Sequence, residues 1–227
     1  MSAKNEAEIS KLDSALTQIG QADRAAAKAA ARFLNRKSRD NWTLAKKEWF
    51  AREKTIETLL RGLERADADV AVELIGALGA ASQRYEFLDG RILDACLDLF
   101  NRATDPVRIA IAQAIPHFGT RKAWDLVLQT LSARPPAAAQ QTVALAIARY
   151  GTTIEPPMRP RAAKALLDIS DKQKNLAVLS IVAKAVTEVG TSDDLPALRA
   201  WLRRTDSQVI RDEIREAIAR CSKNPRN

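Results

Sequence analysis

The sequence predicts an all-α fold: an α-solenoid of about six helical pairs, the first pair divergent and carrying an inserted segment. Three observations predict it. Alanine supplies 41 of 227 residues, against 8 glycines and 5% aromatics, a composition that favours closely packed helices. Apolar residues recur at helical spacing almost everywhere, and no stretch alternates apolar and polar residues long enough for a strand. A helix–turn–helix unit then recurs about every 32 to 39 residues.

The second helices of the units align best. They begin near Asp67 and Asp105, end at Gly151 and Gly190, and begin again near Asp206. With origins at 70, 107, 139, 178 and 210, offsets +4, +7, +8 and +11 are apolar in every copy, and +7 is always alanine: Ala77, Ala114, Ala146, Ala185 and Ala217. These offsets share one helix face. A methyl group there lets the neighbouring helix approach while larger flanking residues fill the groove. A first helix precedes each of them, over 53–65, 91–103, 121–133, 160–169 and 194–204, with apolar stripes such as Ile56, Leu59, Leu60 and Leu63.

Turn chemistry agrees. Asp67, Asp105 and Asp206 stand where a carboxylate caps exposed amides. Gly119, Gly151 and Gly190 follow second helices, where a left-handed residue ends a helix at low cost. Pro116 removes a backbone donor, and it should bend or end its helix around Ile115. At the N-terminus, Ile9, Leu12, Leu16 and Ile19 mark one helix. Asp23 to about Asn35 forms a second, and an origin at 22 puts Ala26, Ala29, Ala30 and Phe33 on its buried face. A further helical stretch begins near Thr43, with Trp42, Trp49 and Phe50 folding it back. The expected organisation is a divergent pair and insertion over 1–52 acting as a cap, and one continuous domain of five repeats over 53–221 (about 53–82, 89–119, 121–151, 160–190 and 194–221). Residues 222–227 are expected to form a disordered tail.

Bulk numbers narrow the function. Cys96 and Cys221, both at apolar helical positions, read as buried free thiols. With His117 they make three soft or imidazole ligands, too few for a structural zinc site, so neither metal nor cofactor is expected. No run of 18 apolar residues is present, and the opening MSAKNEAEIS lacks a secretory apolar region, so a cytoplasmic location is expected. Net charge is +8 with a pI near 9.7. It is uneven: residues 1–65 carry 14 basic and 9 acidic groups, and 66–118 carry 4 and 8. A positive surface attracts nucleic acid or an acidic protein.

Asp105, Pro106, Val107, Arg108, Ala112 and Ala114, closed by Gly119, resemble the repeat of HEAT proteins, especially the short bacterial kind. Asp206, Val209 and Arg211 carry a second version, and Asp69, Val70, Ala77, Leu78 and Gly79 a third. The copies ending at Gly151 and Gly190 lack the aspartate–arginine element. The resemblance, over about 53–221, implies a right-handed solenoid with first helices on the convex side and second helices on the concave side. It also implies an adaptor, with bilin-lyase-like factors and alkylated-base DNA glycosylases as rarer relatives of similar fold. Architecture of this kind serves many unrelated roles.

Offsets +6 and +10 of the second helices point away from the shared core, and they define the candidate binding face: Lys28, Arg32, Gln113, His117, Arg149, Lys184 and Arg220. It suits a protein partner with an acidic surface, or it is simply a solvated face. A second candidate is the basic run Arg36, Lys37, Arg39, Trp42, Lys46, Lys47, Arg52 and Lys54. Basic groups there contact phosphates and an indole stacks on bases; the alternative buries the indoles and solvates the lysines. No nucleotide-binding or hydrolase motif is present, and the Asp94–Asp98 pair reads as an ordinary solvated helix face. No catalytic residue is assigned. The expectation is a non-catalytic protein-binding scaffold, with nucleic-acid binding as the alternative and a monomer favoured.

Overall fold

Helix-forming sequence interrupted by short capped turns accounts for thirteen α-helices among the described residues of this computed structural model, which describes residues 3–19, 21, 23–133 and 135–224. No strand occurs among them, and no helix is long and apolar enough to cross a membrane. Residues 225–227, most of the expected disordered tail's end, lie outside the described residues. The chain divides into two compact units, residues 1–118 and 119–227.

The first unit holds α1 (Ala3–Ile19), α2 (Arg24–Arg39), α3 (Leu44–Phe50), α4 (Glu53–Arg65), α5 (Ala68–Tyr85), α6 (Gly90–Phe100) and α7 (Asp105–Ala114). Within it α1 pairs with α2, α4 with α5 and α6 with α7, and the second helices pack in series, α2 on α5 and α5 on α7. The second unit holds α8 (Arg121–Ser132), α9 (Ala137–Tyr150), α10 (Arg159–Lys172), α11 (Leu176–Val189), α12 (Leu195–Arg204) and α13 (Gln208–Cys221). Its pairs are α8–α9, α10–α11 and α12–α13, with α9 on α11 and α11 on α13. The all-α, sequential helix-pair architecture expected from the sequence is therefore present in each unit.

The alanines at +7 do what their size allows. Ala77, Ala114, Ala146, Ala185 and Ala217 are all buried. α5 and α7 approach closely, so that a Cβ built on Gly79 would stand 2.4 Å from the Ala114 Cβ. The first copy needs a correction. Its buried residues are Ala27, Ala30, Ala31 and Leu34, whereas Ala29 is exposed. The origin is thus 23 rather than 22, and Ala30 takes the recurring alanine position. In RAAAKAAAR almost every position is a methyl group, so the pattern alone does not distinguish two registers about 100° apart.

Helix ends also depart from expectation in instructive ways. Asp67 caps α5 by accepting from the Val70 amide at 3.0 Å, and Asp23 does the same for α2. Asp105 instead lies inside α7, and the Asp206 helix is preceded by Ser207, which makes no side-chain cap. Gly119 is left-handed, with φ +66°. Gly151 and Gly190 are not; they are small because neighbours are close. A Cβ on Gly190 would meet the Cys221 Sγ at 2.7 Å. Pro116 ends α7 at Ala114, with Ile115 as its cap and a short tighter turn over Pro116–Phe118.

The inserted helix α3 starts after Thr43, whose hydroxyl accepts from the Lys46 amide. Trp49 is fully buried and donates from Nε1 to the Asp13 carboxylate at 2.7 Å. Trp42, which the alternative to nucleic-acid binding buries in the first repeat, is instead 54% exposed. Both cysteines are buried free thiols, and burial pushes Cys96 up to about 12 and Cys221 up to about 11.

Candidate binding surfaces

Side-by-side packing of second helices puts polar side chains of one helix within reach of those on the next. In the first unit, Lys28 on α2 pairs with Asp69 on α5. Arg32 pairs with Glu73 at 3.4 Å, and Asn35 donates to the other oxygen of Glu73 at 2.7 Å. In the second unit, Lys184 on α11 pairs with Glu213 on α13 at 3.3 Å, and Ser180 donates to the same carboxylate at 2.7 Å. Arg220 on α13 reaches both oxygens of Glu188 on α11, at 3.2 and 3.3 Å. Each unit thus carries a ladder of cross-helix polar contacts.

Four of the seven predicted face residues, Lys28, Arg32, Lys184 and Arg220, are matched by carboxylates. Their positive charge is locally balanced, and exposed pairs of this kind contribute little to stability. The corrected register places Lys28 and Arg32 at +5 and +9, which is why they lean towards α5. The sequence reading missed Asp69, Glu73 and Glu213, and it did not anticipate the pairing of Glu188 with Arg220, although Glu188 occupies +10 beside Lys184. The signal was present: each lies on a second helix one copy away, at an offset facing its base. Arg149 is exposed and has no ion pair among the described residues. Gln113 uses its carbonyl to accept from Gln83 at 3.3 Å.

His117 is held by packing. Its Nε2 lies 2.8 Å from the Ser82 hydroxyl, and burial lowers its pKa to about 4 despite a hydrogen bond to the Ala114 backbone. Ser82 is only 1% exposed and also bonds the Gly79 carbonyl. The pair therefore ties α5 to the end of α7, with the hydroxyl shielded from any incoming substrate. Asp125 engages Arg161 while its neighbour Trp124 is buried and donates to Thr153, so the two do not share a pocket.

The basic run 36–54 separates into two groups. Lys46 is 3% exposed, donates to the Asn41 carbonyl at 3.1 Å and pairs with Glu8 at 3.2 Å. It does not belong to a surface patch, because α3 folds its ammonium inward onto α1. Burial pushes the Glu8 carboxyl up, but hydrogen bonds from Lys46 and Lys37 outweigh this and hold it below the usual carboxylate range. Lys37 is tied to Glu8 and Asp40. Arg36 lies over the Phe33 ring, Arg39 donates to Asn35, and Arg36, Arg39, Arg52 and Lys54 are exposed, with Lys47 half-buried. Trp42 and Leu44, 54% and 58% exposed, stand among them.

Among the described residues no three His, Cys, Asp or Glu side chains cluster as a metal centre requires. What fold and surfaces define is a helix-pair repeat protein. No protein-family model matches the chain, and no curated protein matches it in sequence. The crystal structure of an engineered protein, 15% identical, is similar with a TM-score of 0.68 over 94% of this chain and 97% of that one. A second engineered protein, also 15% identical, matches over 95% of this chain and 69% of that one with a TM-score of 0.49. The first likeness shows the fold alone.

Proposed function

We propose that this chain is a non-catalytic protein-binding scaffold of HEAT-like kind, engaging a partner through the outward faces of its second helices. The observation that carries this reading is the cross-helix ladder. Lys28–Asp69 and Arg32–Glu73 in one unit, and Lys184–Glu213 and Arg220–Glu188 in the other, make neighbouring second helices share one polar surface. Such surfaces are rigid and extended, which suits recognition of another protein. Because the paired bases are already neutralised, an acidic partner meets the cations left over, such as Arg149. The test is affinity capture from native lysate with wild type and with Arg149→Glu/Arg220→Glu. Loss of a specifically captured protein supports the assignment, and unchanged capture removes it.

A second reading, nucleic-acid binding, is favoured by exposed Trp42 among Arg36, Arg39, Arg52 and Lys54. An exposed indole flanked by cations suits stacking on a single strand. It requires single-stranded DNA binding that weakens steeply with salt and falls on Trp42→Ala; no binding at low salt removes it.

A further inference from the structure

A cleft of about 700 Å³ opens in the first unit where α1, α2, α4 and α5 come together. Its floor is apolar, from Ile19, Ala27 and Val70, with Gly62 at the point where α4 meets α1. A Cβ on Gly62 would stand 2.4 Å from the Ile19 Cγ2, so the glycine sets how closely the two helices approach. Three guanidinium groups line the cleft: Arg24 from α2, and Arg61 and Arg65 from α4. The single carboxylate lining it, Asp67, is committed, since it caps α5 through the Val70 amide and pairs with Arg24.

Arg61 and Arg65 are one helical turn apart and face the same cleft. Neither has an ion-pair partner among the described residues, and the one hydrogen bond of Arg61 is a long one, 3.4 Å, to the Glu57 carbonyl of its own helix. Like charges at this spacing repel mildly. Proximity to the helix C-terminus accounts for Arg65 and the Asp67 pair accounts for Arg24, but neither accounts for Arg61.

We propose that this cleft receives an acidic peptide segment of a protein partner, its carboxylates on Arg61 and Arg65 and its apolar side chains on the Ile19–Ala27–Val70 floor. A guanidinium fork matches a carboxylate with two parallel hydrogen bonds. Arg61 and Arg65 stand about 6 Å apart along their helix in a cleft of about 700 Å³, which fits a chain carrying several carboxylates better than one small anion. The proposal rests on the scaffold reading and adds a contact at the end of the α2–α5 ladder, where Arg24–Asp67 follows Lys28–Asp69.

The test uses the full chain and a fluorescein-labelled peptide of alternating glutamate and leucine, followed by anisotropy at about 0.1 M salt. Arg61→Ala/Arg65→Ala weakens binding about tenfold or more, while Arg36→Ala/Arg39→Ala, with the same change in net charge, weakens it less than about twofold. In the wild type, bound peptide protects Arg24, Arg61 and Arg65 from phenylglyoxal, a readout independent of how the variants fold. Absence of peptide binding, equal losses in the two variants, lack of protection, or displacement of the peptide by millimolar inorganic phosphate would overturn the assignment. Lysate capture that depends on Arg149 and Arg220, with no peptide binding here, would remove this site and leave the scaffold reading standing.

Discussion

Offset +9 of the second helices is filled differently in the two units. In α5 it is Gly79, whose bare backbone lies against the Ala114 methyl of α7. In α9 it is Ala148 and in α11 it is Thr187, a buried residue whose hydroxyl bonds back to the Ala183 carbonyl at 3.0 Å. The +7 alanine is common to both units, so the shared pattern specifies that second helices meet and on which face. Between α5 and α7 the bare +9 position lets the Ala114 methyl lie against the backbone, whereas in the second unit the small residues at close approach are Gly151, against Glu188 and Val189, and Gly190, against Cys221. Close-packed interiors make that choice matter, because even one added methyl group must be accommodated.

The largest test of this contrast is Gly79→Val, which forces its side chain into Ala114 and should cost about 3 kcal/mol or more. Ala148→Gly in the second unit should cost only about 1 kcal/mol, from helix propensity. Thermal or urea unfolding checks both, and a silent Gly79→Val would mean that α5 and α7 do not approach as described.

The next contrast is in acid. The chain's single histidine lies in the first unit. Burial lowers His117 to about 4 from its ordinary 6.5, so the folded state binds its proton later than the unfolded chain does. Stability is complete above about pH 6.5 and is lost as pH falls towards 4, by up to about 3 kcal/mol. His117→Gln should flatten this window, as read by urea unfolding against pH; an unaltered slope would show that His117 is solvated.

Two lysines give a smaller difference. Lys46 is inward and its removal leaves Glu8 with Lys37 alone, so Lys46→Met should cost about 2 kcal/mol. Lys184 is 60% exposed beside Glu213, and Lys184→Met should change stability by less than about 0.5 kcal/mol. The smallest effect is expected at Gly76, where an added Cβ first meets the amide end of Asn35. Shifting that amide strains its hydrogen bonds to Glu73 and from Arg39, a cost offset by the helix propensity gained on replacing glycine, so Gly76→Ala should lie within about 0.5 kcal/mol of wild type. A loss as large as that at Gly79 would show that Asn35 is fixed by Glu73.

Amino-acid order alone specifies the helical pairs, the buried alanine face of five second helices, the end of α7 before Pro116 and the start of α3 after Thr43. These are local matters: periodicity, capping and a missing amide act within a few residues. The register of α2 was settled by packing, because an alanine run presents nearly the same methyl surface in either phase. Packing also decided that Lys46 turns inward while Trp42 stays out, and that Lys28, Arg32, Lys184 and Arg220 meet carboxylates on neighbouring helices. The convergence of Arg24, Arg61 and Arg65 on one cleft belongs to the same class. Those outcomes depend on which distant side chains packing brings within a few ångströms, and helical periodicity carries no record of a helix's neighbours.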